Sequence, residues 1–409
     1  MSTMHFDPFS EEYYENPYEI YRWLREEAPV YHNEELGFWA VSRYDDCVEA
    51  HRDVSTYTST RGLTLDQLRS AEFGSIVEQV NSMIMMDPPQ HQRMRRLVSK
   101  AFTPRAIASW EPVVIDVIAR MLDGLAGSDT FDAVVDFAGP FPIEVIAEIV
   151  GVPKADRSTV RRWTDQMLER EVGNPFPTED GMLAGMSAGQ YYLDLVRDRR
   201  ATMTDAGEDD ADMIGHLLAV EVVRDDGGFD HLADDEIASF IGLLSAAGAE
   251  TVTKLVGNAI VTFAEWPDQL AVLQADPSVA ASAVEEMLRW RAPSQYQGRY
   301  SVADKDWHGV TIPAGQPLLI VTGAANRDPR AYDEPDRLDI TRQAAPGITF
   351  GYGIHHCIGA HLARLEGRTA FTELYRRWPN LAVDLDHVEY VRMTNVAGPS
   401  TVPVHAVAG

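Results

Sequence analysis

Apolar residues recur nearly all round the stretch from Asp234 to Glu265, without the continuous polar face that a surface helix keeps. The stretch reads as a buried helix that starts at the acidic pair Asp234 and Asp235 and stops before Pro267. At ~1.5 Å per residue it spans roughly 48 Å, enough to cross the whole molecule.

The elements before it are shorter. Asn16 to Glu27 places Tyr18, Tyr21 and Leu24 on one helical face, with Pro17 near the start. Val30 to Tyr31 and Gly37 to Val41 read as strands around a polar turn, and Asp45 to His51 opens another helix. Thr60 to Met86 shows no period, and Asp87-Pro88-Pro89 forces a bend before a helix over about residues 89–101. Ser109 to Val152 and Arg157 to Arg200 read as helices with broken periods, the second interrupted by a loop from Gly173 to Thr178. Further on, Val310 to Ile320 reads as a hairpin turning at Pro313-Ala314-Gly315.

Composition adds a soluble, globular character, with 45% hydrophobic and 24% charged residues. The 35 basic and 63 acidic residues give a net charge of -28, which disfavours nucleic acid and anionic membrane as partners. Asp205 to Asp212 is an acidic run expected in a surface loop. No stretch reaches the ~18 uninterrupted apolar residues of a membrane span, and the first residues lack the basic start and apolar run of a secretory leader. The expected location is the cytoplasm, where the 2 cysteines would not form a disulfide framework.

The chemistry concentrates between Phe350 and Glu366, in FGYGIHHCIGAHLARLE. Three glycines crowd around Cys357, letting the backbone bend sharply and lie against a flat ligand. Helix formers follow at once, so Cys357 sits at a loop-to-helix junction, where free N–H groups and the helix dipole favour a thiolate. A lone cysteine is otherwise a small packed hydrophobe. A zinc site built from His355, His356, Cys357 and His361 is the competing metal reading, although structural zinc usually takes paired cysteines and only Cys47 remains.

The pattern F-G-x-G-x-H-x-C-x-G, followed by a helix carrying L-A-R, closely resembles the heme-ligand signature of the cytochrome P-450 monooxygenases. The resemblance implies a mainly α fold with a smaller β portion, one domain over residues 1–409, and heme b beneath the long central helix. Cys357 would be the proximal iron ligand on a loop over residues 350–359, with Phe350, Gly351, His355 and Gly359 around the cofactor. Asp87-Pro88-Pro89-x-His91-x-x-x-Arg95 resembles the family's helix C, whose His and Arg reach the heme propionates. His91 and Arg95 lie four apart and so share a helix face. Arg299, in PSQYQGR, falls where the family places another propionate partner.

In the central helix, Ala247-Gly248-Ala249-Glu250-Thr251 matches the family's A-G-x-[E/D]-T. A threonine hydroxyl can compete for a backbone carbonyl and open a helix locally, and Gly248 would let a flat cofactor approach. The family role implied for Glu250 and Thr251 is proton delivery to dioxygen. Leu243, Leu244 and Ala247 would wall the substrate pocket. Lining is also expected from Met83, Ile84 and Met85, from Ser294, Gln295, Tyr296 and Gln297, and from Val396 and Ala397 within the Thr394 to Ala397 return. A phenol and two amides among these imply a substrate with a polar group. Lid helices F and G would fall at about residues 160–200.

Glu286 and Arg289 match the family's structural E-x-x-R, with Arg337, in the meander from Pro335 to Arg342, as the expected third member. Arg93, Arg96, Lys100 and Arg105 form a basic patch in a strongly acidic chain, which suits an acidic electron donor. The resemblance names that donor as a ferredoxin with its reductase. No flavin or nicotinamide fingerprint is present, so NAD(P)H electrons would arrive through separate proteins. The implied activity is insertion of one oxygen atom of O2 into a small, largely hydrophobic substrate by a monomer. A heme protein of the same fold that binds or senses without turnover is the alternative.

Overall fold

The apolar stretch at the centre of the chain is one helix, Asp234–Glu265. Asp234, Asp235 and Glu236 fill its first turn, where the dipole favours negative charge, and the Glu236 carboxylate accepts from the Ala233 N–H at 2.9 Å. Trp266 ends it, and Pro267 begins the next helix, Pro267–Ala275. Every residue from Val252 to Phe263 is buried, because the helices Pro140–Val150, Glu179–Thr202 and Ala360–Arg377 pack around it. Each fully buried aliphatic or aromatic side chain there contributes roughly 1.5–3 kcal/mol.

The computed structural model describes residues 4–70, 82–168, 178–202, 212–223, 228–343, 347–391 and 395–406. The Gly173 to Pro177 loop, the acidic run before Asp212, Thr394 and residues 71–81 of the irregular stretch lie outside the described residues. Among the described residues the central helix alone is long and apolar enough to cross a membrane, and 61% of its most apolar window is buried in protein. It is a core helix.

Sheet structure is secondary to the helices. The main sheet has five strands in the order Val30–Asn33, Phe38–Val41, Pro317–Ile320, Gln297–Ser301, Tyr57–Thr58. Its register sets Arg299 opposite Leu318 and Gly298 opposite Leu319, which fixes the arginine at the site described below. The expected Val310 to Ile320 hairpin is not formed. Val310–Ile312 pairs instead with Lys305–Trp307 through His308 and Gly309, whose positive φ of 51° and 85° make the tight turn that matches strand twist. Pro317–Ile320 is thereby released into the main sheet.

At the N-terminus the helix expected from Asn16 to Glu27 forms as Tyr18–Glu26, and a short helix, Glu11–Glu15, precedes it. These pack Phe6, Tyr13, Tyr21 and Leu24 into a second core, separate from the one around the central helix. Cys47 is fully buried in a third core, its thiol 3.5 Å from the Val41 carbonyl, which is plain packing.

Candidate active site

The cysteine loop is held open by two left-handed glycines, Gly351 at φ 70° and Gly353 at φ 68°. The Cys357 N–H donates to the Phe350 carbonyl at 2.8 Å, and the helix Ala360–Arg377 begins three residues later. Its sulfur receives the N–H groups of Gly359 and Ala360. Burial in protein raises the thiol pKa, while those two amides and the charges of Arg95 and Arg364 pull against it. Although set deep in protein, Cys357 keeps accessible surface, unlike Cys47. That combination marks a sulfur facing an internal cleft. Arg364 stacks over the Phe350 ring at 4.6 Å and is paired with Glu285.

Beside the loop, four cationic or cation-capable side chains gather. His91, on the helix Gln90–Val98, is 1% exposed, and its ring centroid lies 4.2 Å from that of His355. His355 Nε2 is 3.2 Å from the Ser59 hydroxyl. Burial, then the neighbouring Arg299, push its pKa down to about 2, so it offers an N–H without a charge. Arg299 is 4% exposed, and among the described residues it donates only to the Gly298 carbonyl. Burial lowers its pKa to about 10, against the attraction of Asp87. Burial also lowers the pKa of Arg95, with the Cys357 sulfur opposing. Neither arginine forms an ion pair among the described residues. A buried guanidinium such as that of Arg299, with the half-buried Arg95 near it, calls for an anionic partner.

On the central helix, the Thr251 hydroxyl donates to the Ala247 carbonyl at 2.9 Å. Ala247 is exposed, although it sits in the middle of the core helix, so it too faces a cleft. Leu243 is half-buried and Leu244 is buried. At Gly248 a Cβ would lie 3.0 Å from Ile146 Cδ1, so its missing side chain also gives room to the neighbouring helix. Glu250 carries a partner the sequence reading missed, with its Oε1 3.1 Å from Lys254 Nζ. Lysine four residues after glutamate on a helix is a recognisable pairing signal.

Several expectations need correction. The third member of the E-x-x-R cluster is Arg342, 3.3 Å from the Glu286 carboxylate. Arg337 points outward to Glu334 with its side chain 59% exposed, and only its backbone carbonyl accepts from Arg289. Gln295 and Tyr296 are 4% and 0% exposed and do not line a cleft. Gln295 accepts from the Tyr21 hydroxyl at 2.5 Å, and Tyr296 packs in the N-terminal aromatic core. Ser294 and Gln297 are half-buried, joined by a 2.7 Å hydrogen bond. Val396, which bridges to Ser294, and Ala397 are likewise half-buried. In the 3-10 turn Met83–Met85, Met83 is buried while Ile84 and Met85 are half-buried.

The basic patch is also reduced. Arg93 is committed internally to Glu236 at 2.6 Å and Asp230 at 3.0 Å, and Lys100 donates to the Glu221 carbonyl at 2.5 Å. Arg96, Lys100 and Arg105 remain exposed. Among the described residues, no group of three or more His, Cys, Asp or Glu side chains could hold a bare metal ion, which leaves the zinc reading without a ligand set.

The sequence model of the cytochrome P450 family matches residues 14–389. The chain belongs to the cytochrome P450 family. A Mycobacterium tuberculosis protein named as cytochrome P450 123 is 41% identical over 404 residues, covering 98% of this chain and 97% of that one. Vitamin D(3) 25-hydroxylase of Pseudonocardia autotrophica is 38% identical over 410 residues, covering 98% and 96%. The solved structure of cytochrome P450 CYP109Q5 from Chondromyces apiculatus superposes with a TM-score of 0.88 at 33% identity, covering 99% and 98%. As a P450 this protein is a monooxygenase that uses heme b, O2 and NAD(P)H electrons relayed by redox partners. Its residues fit that cofactor: an accessible cysteine whose sulfur is supported by two amides, and the buried Arg299 and half-buried Arg95, without acid partners among the described residues, matching a thiolate-ligated ring with anionic propionates.

Proposed function

We propose that this P450 hydroxylates a small, largely apolar substrate carrying a polar group, with Cys357 as the proximal heme ligand. His91, Arg95, Arg299 and His355 would hold the propionates by charge and hydrogen bonds. Heme, when bound through a thiolate, supplies the O2-activating chemistry. The protein's own part is to bind, orient and move protons. Amide donation from Gly359 and Ala360 tempers the sulfur's charge. Thr251, its hydroxyl resting on the Ala247 carbonyl, and Glu250 behind it form the proton path from solvent to the O2 side.

Leu243, Leu244, Val396 and Ala397 make the apolar wall, and the Ser294–Gln297 pair offers the polar contact. Electrons come from a ferredoxin and its reductase, with Arg96, Lys100 and Arg105 as the exposed charges of the docking face, in a monomer of the cytoplasm. The observation that carries this reading is the Cys357 sulfur, open to the cleft and served by two backbone donors.

The deciding experiment is the carbon monoxide difference spectrum of the reduced protein beside that of Cys357→His. A long-wavelength thiolate band in the parent, lost in the variant, supports the ligand. A histidine-type band in well-folded parent protein removes it. Spectral titration with vitamin D3, testosterone and palmitic acid then ranks substrate shapes.

A further inference from the structure

Lys254 is 3% exposed in the middle of the protein. Its ammonium group lies 3.1 Å from Glu250 Oε1 and donates to the Pro399 carbonyl at 3.1 Å. Its stem crosses Gly398, where a Cβ would come within 2.8 Å of the Lys254 Cβ, so glycine is what leaves room for the lysine. One turn on, Asn258 donates to the Ala397 carbonyl at 3.2 Å and to the Arg291 carbonyl at 3.1 Å. Two buried polar side chains of the central helix therefore staple residues 397–399, and one of them also holds the acid.

A buried ammonium is tolerated only with full pairing, and here the two partners belong to different parts of the site. Glu250 is on the helix, and Pro399 follows directly on the half-buried Val396 and Ala397. The other charged groups facing Glu250 are few among the described residues. On the helix Arg157–Leu168, Asp165 lies near enough to feel Glu250: burial and the Glu250 charge raise its pKa, while Arg161, 3.9 Å away, opposes. Among the described residues the C-terminal segment meets the lysine of the pair, through the Pro399 carbonyl.

We propose that Lys254 is a positioning residue that couples the 396–399 segment to Glu250. Substrate seated against Val396 and Ala397 shifts Gly398 and Pro399, moves the lysine that rests on them, and releases the carboxylate for proton transfer. Without substrate the pair holds Glu250 back, which limits proton-driven loss of electrons to O2. The proposal rests on the reading of Glu250 as proton donor.

The test uses heme-loaded protein with a plant-type ferredoxin and reductase in excess, without added substrate. NADPH consumption and peroxide release are measured in H2O and in D2O. Glu250→Gln tests the underlying reading, with slower consumption and a larger solvent isotope effect expected. Lys254→Met removes the charge and keeps the stem, and Gly398→Ala keeps the charge and pushes the stem. Both are expected to raise consumption about threefold or more and to shrink the isotope effect. If Glu250→Gln matches the parent, the proton-donor reading falls. If Glu250→Gln behaves as expected but the two coupling variants match the parent, or follow Glu250→Gln, the coupling is overturned. Should Lys254→Met fail to load heme, Gly398→Ala alone decides.

Discussion

Arg342 Nε lies 3.3 Å from the Glu286 carboxylate, which is 2% exposed and already held by Arg289 at 2.7 Å. A third bond, from the Asp339 N–H at 2.9 Å, completes the shell. With three groups serving one buried anion, loss of Arg342 removes a charge-assisted bond without replacing it by water. Arg342→Met is expected to cost about 1.5–3 kcal/mol of stability. Arg337→Ala, at an exposed side chain, is expected to stay within about 0.5 kcal/mol. Urea midpoints of the heme-loaded variants check both; equal losses would mean that the two arginines share the role.

Arg299 is a buried cation with little protein support, donating among the described residues only to its neighbour's carbonyl. Under the proposed function it meets a heme propionate. Arg299→Leu, which keeps bulk and removes charge, is expected to speed heme transfer to an acceptor globin by roughly 10- to 100-fold, the equivalent of one charged hydrogen bond. The exposed Arg105→Ala serves as the control and should leave transfer unchanged. Unaltered heme retention in Arg299→Leu would remove this residue from the propionate site.

The central helix was legible because its apolar residues run all round and its ends carry an acidic start and a proline stop. The cysteine loop was legible because its ten-residue pattern, with each fixed position filled, resembles the family's heme-ligand signature. Arg342 and Gln295 were not. Both lie in irregular segments where no period says which side chain turns inward, and Gln295 is buried by Tyr21, 274 residues away. Lys254 could have been read, as the one cation between Asp234 and Glu265, four residues beyond Glu250. The hairpin was misplaced because proline and glycine at 313–315 outweighed His308-Gly309, whose positive φ values only the folded backbone reveals.

His51 lies behind the cysteine loop, 2% exposed, with the Gln297 side chain beside its ring. Burial, then the Arg299 charge, lower its pKa to about 3. A histidine depressed in the folded state binds its proton on unfolding. Its contribution is therefore complete above the unfolded value of ~6.5 and is lost as pH falls from there toward the folded value. Between pH 7.5 and pH 5 the parent is expected to lose about 2 kcal/mol that His51→Phe keeps. Urea unfolding at the two pH values measures the difference, and parallel losses in both proteins would show that His51 titrates normally.

Gly353 combines two constraints that an alanine cannot meet together. Its φ of 68° lies in the left-handed region, which costs an L-residue roughly 1 kcal/mol. An added Cβ would also sit 2.8 Å from the His51 carbonyl oxygen, an approach that backbone cannot relieve by rotating a side chain. The two costs add, because relaxing φ moves the loop that carries Cys357, while keeping φ retains the clash. Gly353→Ala is thus expected to destabilise by about 2–3 kcal/mol and to reduce heme loading during expression. Gly124→Ala, at the end of the helix Pro104–Gly124 with nothing within 4 Å of the added carbon, is expected to be neutral or stabilising by up to about 1 kcal/mol. Urea midpoints and heme-to-protein absorbance ratios of the pair separate the loop's geometric demand from a general cost of replacing glycine. Equal behaviour of the two variants would mean that the cysteine loop can be rebuilt around an alanine.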